Sequence, residues 1–166
     1  MVSIEAEHFT RKIDRPNSSW QAIPGLGRTG DSIASFPTTA PALDANNAPV
    51  VEYEFYLFTS GPVKAMAYLV PTHPIVSGRG LRYAIGFDGQ PPQLVTVGAD
   101  LQVPSRAWFL NVLNSSTMGT STHEIKTAGQ HVLRIYAVDP GVVLDKIVLD
   151  LGGLKPSYLG PDETRR

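Results

Sequence analysis

The stretch Val51-Glu52-Tyr53-Glu54-Phe55-Tyr56-Leu57 alternates with period two. A strand sends successive side chains to opposite faces, so Val51, Tyr53, Phe55 and Leu57 share one side. This is a strand with one dry face, the unit of a layered β protein. Ser60-Gly61-Pro62 follows as a turn and Val63–Val70 reads as a second strand, which predicts a hairpin. Working outward, Ser32–Phe36 is a short strand stopped by Pro37, and Leu81–Phe87 is a strand ending on the turn pair Asp88-Gly89. Gln93–Val97 and Trp108–Leu113 are further short strand candidates. His131–Val138 alternates after Ala128-Gly129, and Val142–Leu149 comes last, beyond Asp139-Pro140-Gly141. Ile4–Phe9 alternates weakly and reads as strand or as the start of a helix. Asn17–Gly30, with Trp20 inside it, reads as loop, and Thr38–Pro49 as a long surface connection.

The punctuation agrees with that pattern. The chain carries 15 glycines and 14 prolines, and beyond residue 15 only Ser105–Met118 runs longer than eleven residues without either. Helices want about ten uninterrupted residues, whereas strands are content with five or six. About nine or ten short strands predict an all-β fold, an antiparallel β-sandwich of the jelly-roll kind. A chain of 166 residues is one domain of ordinary size. We place the sandwich at residues 1–151 and a C-terminal tail at 152–166, which leaves the domain or lies over it. The 14 basic and 15 acidic residues give a net charge of −1, without the basic footprint of a nucleic-acid binder or a polybasic membrane anchor. The absence of cysteine removes zinc ribbons, thiol nucleophiles and disulfide scaffolds. Met1-Val2-Ser3-Ile4-Glu5 lacks the basic and apolar regions of a signal peptide, so the expectation is a cytosolic chain or a piece of a longer secreted one.

Few residue patterns carry chemistry. Gly25-Leu26-Gly27-Arg28-Thr29-Gly30 has the spacing of a dinucleotide fingerprint, but that motif needs a strand before it and a helix opening from it. Here Pro24 precedes it and a β-like stretch follows, so it reads as a turn. The four histidines form no ligand-spaced pattern, and no nucleophile elbow is present. Glu5-Ala6-Glu7 would put two carboxylates on one face of a strand, and Asp145 stands among apolar neighbours, where an unpaired carboxylate is costly. If the first and last strands are neighbours, Glu5, Glu7 and Asp145 with loop carbonyls supply the oxygen-rich shell that Ca²⁺ prefers. The alternative is a solvated Glu5/Glu7 face, with Asp145 paired to a Lys or Arg. Trp20 and Trp108 are either sugar platforms, with exposed indoles that stack on a pyranose face, or core.

Several segments together resemble a known family. They are Val2-Ser3-Ile4-Glu5-Ala6-Glu7-His8-Phe9, Trp20–Asp31, Asp139–Ile147, and the closing Gly152-Gly153-Leu154-Lys155-Pro156-Ser157-Tyr158-Leu159-Gly160-Pro161. Their order resembles the C-terminal domain of glycoside hydrolase family 115, the xylan α-1,2-glucuronidases, over about Val2 to Asp162. The resemblance implies a bacterial parent enzyme, secreted or periplasmic, that removes glucuronic or 4-O-methylglucuronic acid branches from glucuronoxylan. Its catalytic machinery lies in an upstream domain, so no catalytic residue is assigned here. The family's C-terminal domain is similar to carbohydrate-binding modules of families 6 and 35. Those modules often hold a structural Ca²⁺ with a Glu-x-Glu strand and a late Asp, which Glu5, Glu7 and Asp145 match. They also clamp a sugar between two loop aromatics. Trp108 takes the place of one, ahead of His123 and Gly129-Gln130-His131, but Asp31-Ser32 stands where the other belongs. Arg28, Arg79 and Arg106 are candidate forks for a uronate carboxylate. The resemblance therefore implies a non-catalytic module that binds glucuronoxylan or its acidic oligosaccharides for an attached catalytic domain. Its alternative is a structural module that packs on that domain or forms the parent's dimer, with an apolar patch around Gly152–Gly160.

Overall fold

The computed structural model describes residues 1–76, 78–99, 105–155 and 157–164. Eleven strands and one helix are present among them: β1 Val2–Glu5, β2 Arg11–Ile13, β3 Ser19–Ile23, β4 Ser32–Phe36, β5 Val50–Leu57, β6 Gly61–Leu69, β7 Leu81–Phe87, β8 Gln93–Val97, α1 Arg106–Leu113, β9 Thr117–Ile125, β10 Gly129–Tyr136 and β11 Val143–Asp150. One sheet has the order β3-β4-β11-β6-β9, with β1 also on β11; the other has the order β2-β5-β10-β7-β8. All pairings are antiparallel. The all-β sandwich expected from the punctuation is the fold, with eleven strands instead of nine or ten. No helix among the described residues is long and apolar enough to cross a membrane.

The alternation of β5 builds the core as read. Val51, Tyr53, Phe55 and Leu57 all point inward and are buried. Across from them Val63, Ala65, Ala67 and Leu69 of β6 do the same. These two strands do not form the expected hairpin. β5 pairs with β2 and β10, while β6 pairs with β9 and β11 in the other sheet. Ser60-Gly61 does reverse the chain, with Gly61 at φ 130°. Two strands that each carry one apolar face bury more by facing each other across a sandwich than by lying side by side.

Three further expectations change. Asn17–Gly30 is not all loop: Ser19–Ile23 is β3, paired residue for residue with β4. Trp20, a candidate sugar platform, is fully buried there and donates its indole N–H to the Pro49 carbonyl at 3.1 Å. It is core, because a buried indole needs both apolar neighbours and an acceptor, and it has both. Trp108–Leu113 is not a strand but lies in the helix α1, which joins the edge of one sheet to the edge of the other. Ser105 caps α1, its hydroxyl accepting from the Trp108 N–H at 3.2 Å.

The outer face of the β1/β11 sheet is buried too. Residues 157–164 cross it as a strap; Pro156, Arg165 and Arg166 of the expected tail lie outside the described residues. Lys146 Nζ donates to the carbonyls of Leu159 and Pro161 at 3.4 and 3.2 Å. Ser3 Oγ donates to the Pro161 carbonyl at 3.1 Å. Farther along, Thr164 N–H donates to the Ser3 carbonyl, the Thr164 hydroxyl accepts from Ser3 N–H, and the Glu163 carboxylate accepts from Glu5 N–H. The strap thus satisfies backbone groups that β1, paired only with β11, would leave open on its other edge. This is why β1 and nearly all of β11 are buried on both faces.

Candidate functional site

β11 changes partners midway. Val143 and Leu144 pair with β4, and Lys146 to Leu149 with β1. The β6 ladder slips between Leu144 and Lys146, so Asp145 occupies a bulge. A bulge re-aims a side chain, and this one carries Asp145 to the turn between β3 and β4. Its carboxylate accepts from Arg28 N–H at 3.3 Å and from the Ser32 hydroxyl at 3.3 Å. Burial holds the Asp145 carboxyl above the ordinary range; the Arg28 N–H opposes that shift and the Glu5 charge adds to it.

Glu5 and Glu7 reach the same turn, but not as a strand pair. β1 ends at Glu5 and the chain turns, so Glu7 lies beyond the strand. Thr29 Oγ1 donates to both Glu5 oxygens at 2.9 and 3.0 Å, and Asp31 N–H donates to Glu7 Oε1 at 2.9 Å. The turn can come this close only because two of its residues lack a Cβ. A Cβ on Gly27 would run into the Asp145 carboxylate, and one on Gly30 into that of Glu7. Lys146, opposite Glu5 in the ladder, places its ammonium 3.1 Å from Glu5 Oε1. Glu7 Oε2 is buried with no hydrogen-bond partner among the described residues. As the side chains stand, no three acidic or imidazole groups among the described residues form a ready-made cation cage. The three expected carboxylates do each bond the same turn, and the Lys146 ammonium pairs with Glu5.

The other face of that turn borders α1. This helix buries none of its side chains, and Phe109, Leu110, Val112 and Leu113 are 53%, 46%, 41% and 74% exposed. Trp108 is half-buried, its ring 5.2 Å from that of His73 with 30° between the planes, and Phe109 meets it edge-on at 5.7 Å. Trp108 lines a small, mostly apolar hollow of about 30 Å³ with Pro71, Pro74, Leu81 and Asn111, and two larger hollows flank the helix. One, of about 270 Å³, lies among Gly25–Gly27, Pro71, Val112 and Ser115. The other, of about 300 Å³, is lined by Arg28, Tyr68, Asn111, Asn114, Ser116 and Tyr158 among others. Neither has a carboxylate in its lining, so neither offers the paired acids of glycoside hydrolysis.

The structure therefore groups Trp108 and Arg28 on one end of the sandwich, around α1. Arg106 stands exposed at the start of α1 and lines neither hollow. Arg79 is bound to Asp139 at 2.7 Å and is not free to act as a fork. Sequence reasoning missed Tyr68, Asn111, Asn114 and Tyr158. Tyr158 sits within the closing run already singled out, but nothing local shows that the strap returns to Arg28.

The family whose sequence pattern matches the chain is described as "Glycosyl hydrolase family 115 C-terminal domain", over residues 1–163. The chain belongs to this family. No curated protein matches it. Among solved structures, this family 115 domain is similar to a 4-O-methyl-α-glucuronidase, BtGH115A, described as specific for decorated arabinogalactans (TM-score 0.63, 22% identity, 87% of this chain). It spans 18% of that protein's length. It is also similar to the C-terminal family 6 carbohydrate-binding module of the laminarinase LamC from Zobellia galactanivorans (TM-score 0.58, 15% identity, 88% of this chain and 95% of that one). A family 35 module from Clostridium thermocellum gives a TM-score of 0.58 at 14% identity, covering 90% of this chain and 98% of that one. At such identities the likeness shows the fold: this family 115 domain is a β-sandwich of the carbohydrate-binding-module kind.

Proposed function

We infer that this family 115 domain is a non-catalytic carbohydrate-binding module that holds glucuronoxylan or its acidic oligosaccharides for an attached catalytic domain of a secreted or periplasmic bacterial enzyme. The observation that carries this is the end of the sandwich at α1. There Trp108 is held half-open on His73 at a small apolar hollow, and a larger hollow that shares Asn111 with it is walled by amides, hydroxyls and Arg28. Aromatic faces with a few fixed polar groups are what a sugar needs: C–H faces pack on the ring and hydroxyls bond at the rim. Trp108, Arg28 and Arg106 are the ligand-binding residues in this reading.

Ca²⁺ belongs to the same reading as a structural ion. Glu5, Glu7 and Asp145 would hold it, and it would supply fixed positive charge that pins the Gly25–Gly30 turn. The support is the chemistry of the donors: three carboxylates bond the same turn, one of them paired with an ammonium, and a buried Glu7 oxygen lacks a hydrogen-bond partner among the described residues. Titration of the isolated chain with glucuronoxylan, aldouronic oligosaccharides, neutral xylan and arabinogalactan, with and without chelator, tests both parts. Binding to the acidic glycans is expected, together with a lower Tm in chelator. Silence with every glycan overturns the module reading, and an unchanged Tm in chelator removes the ion.

One observation favours a second reading, a structural module with no sugar affinity. The apolar patch expected around the tail is larger on α1, where four hydrophobic side chains are 41–74% exposed. A helix so exposed fits a surface covered by the parent's catalytic domain or by a second copy. Adding the isolated chain to a C-terminally truncated parent should then restore dimers or activity, and no effect counts against it.

A further inference from the structure

We propose that the hollow of about 300 Å³ between the Gly25–Gly30 turn, the end of α1 and the strap is a subsite for a sugar that carries a carboxylate. Arg28 reads the carboxylate and Tyr158 of the strap aims it. This rests on the reading of the domain as a sugar-binding module, and adds which chemical group is selected and where.

Arg28 differs from the other partly buried arginines of the molecule. Arg134 is bonded to Glu52, Arg79 and Arg82 to Asp139, and Arg15 to the carbonyls of Asn46 and Ala48. The Arg28 guanidinium, unlike these, has no carboxylate or carbonyl partner among the described residues, and its Nε, like that of Arg79, is buried without a hydrogen-bond partner there. A planar fork of donors left unanswered beside an open hollow calls for a planar acceptor, and a carboxylate is one.

The fork is also aimed in advance. At one end the Arg28 backbone N–H is tied to Asp145. At the other the guanidinium lies over the Tyr158 ring, 4.3 Å from its centre. Tyr158 is in turn held by the strap. Gly160 turns at φ 76°, a backbone conformation that favours glycine, beside the side chains of Tyr68 and Lys146. Lys146 and Ser3 then hold the Leu159 and Pro161 carbonyls. A site fixed before the ligand arrives loses less entropy on binding.

The rest of the wall suits a pyranose. Asn111, Asn114 and Ser116 offer amides and a hydroxyl, Tyr68 and Tyr158 offer rings, and among the described residues no acid lines the hollow to repel an anion. The volume sits at the small end of ligand sites, enough for one sugar unit and its substituent.

The test is calorimetric titration of the whole chain with a 4-O-methylglucuronic acid-substituted xylo-oligosaccharide, its neutral methyl ester, and the unsubstituted xylo-oligosaccharide. Wild type should prefer the acid over both neutral ligands. Arg28→Gln should lose about tenfold to a hundredfold in affinity for the acid and nothing for the neutral ligands. Arg28→Lys should recover only part of the loss, because it restores the charge but not the fork. Tyr158→Ala should weaken acid binding severalfold with little change in Tm, since Tyr158 is 60% exposed. Equal binding of acid and ester, or acid binding unchanged in Arg28→Gln and Tyr158→Ala, overturns the subsite and leaves the module reading standing. A loss in Arg28→Gln that is equal for acid and ester overturns it as well. Failure of wild type to bind any of the three, or glucuronoxylan itself, overturns the module reading and this inference with it.

Discussion

Trp20 and Trp108 stand in regions built from similar residues under opposite rules. Trp20 sits on β3 inside the sandwich, fully buried, with its indole N–H on the Pro49 carbonyl. Around it Ile33, Tyr53 and Ile4 are likewise closed off, and the Tyr53 hydroxyl finds the Ala6 carbonyl at 2.7 Å. Trp108 sits on a helix that buries none of its side chains, propped half-open against His73. In the first region the polar atoms are answered within the protein. In the second, the Arg28 guanidinium has no carboxylate partner among the described residues, and the wall of the neighbouring hollow is largely amide, hydroxyl and ring. The two indoles thus differ in burial and in what they rest on: Trp20 is closed into the core with its N–H answered, and Trp108 is left half-open on a helix with no buried side chain.

The comparison breaks most visibly at Trp20. Trp20→Ala should cost about 3–5 kcal/mol, as large-to-small changes of a buried aromatic do. Urea unfolding followed by far-UV circular dichroism would measure it. A loss below about 1 kcal/mol would mean that Trp20 is not part of the core.

The next effect down sharpens the satisfied side. Glu52 on β5 stands level with Arg11 on β2 and with Arg134 on β10, and bonds both, at 2.6 and 2.7 Å. The Arg11 hydrogen bond above all, then that of Arg134, holds the Glu52 carboxyl below its ordinary range against the opposing effect of burial. A carboxyl depressed in the folded state stabilises above its unfolded pKa, and that stabilisation is lost as pH falls through the folded value. Glu52→Gln should therefore cost about 1 kcal/mol at neutral pH, the Arg11 end being screened by water. The gap between wild type and variant should close on the acid side of the carboxylate range. Melting curves of the two proteins across pH test this, and a gap that widens in acid would reverse the sign argued here.

Much of the fold could be read from particular residues. The alternation of Val51–Leu57 and the Gly/Pro spacing gave the sandwich, because strand faces and turn chemistry are local properties. Whether Ser60-Gly61 closes a hairpin or turns a corner between sheets is not local; it depends on where the partner strand finds the most apolar surface to cover. The helix could have been seen. Ser105–Met118 is the longest stretch beyond residue 15 free of Gly and Pro, and Ser105 is a good N-cap, but its short apolar run imitates a strand. At the site, the three carboxylates were legible because β1 and β11 are neighbours, as the first and last strands of such folds often are. Their actual partners, Thr29, Asp31 and Lys146, were not, since the bulge at Asp145 and the turn after Glu5 decide them. Tyr158 was beyond reach because its place depends on how the strap that follows it is tied across β11 and β1.

The smallest effect on stability belongs to Trp108, and it is the one that tests the comparison from its other side. Its helix buries no side chain, so Trp108→Ala should change stability by only about 0.5 kcal/mol, the scale of surface substitutions. If Trp108 is held open for a sugar, the same change should weaken glucuronoxylan binding by about tenfold or more, the worth of one well-used aromatic contact. Paired urea melts and titrations on one protein preparation read both numbers. A large stability loss with intact binding would place Trp108 with Trp20 as core. A small loss of both would leave the α1 end as a surface for a protein partner, since nothing inside the domain would then account for an indole propped open on His73.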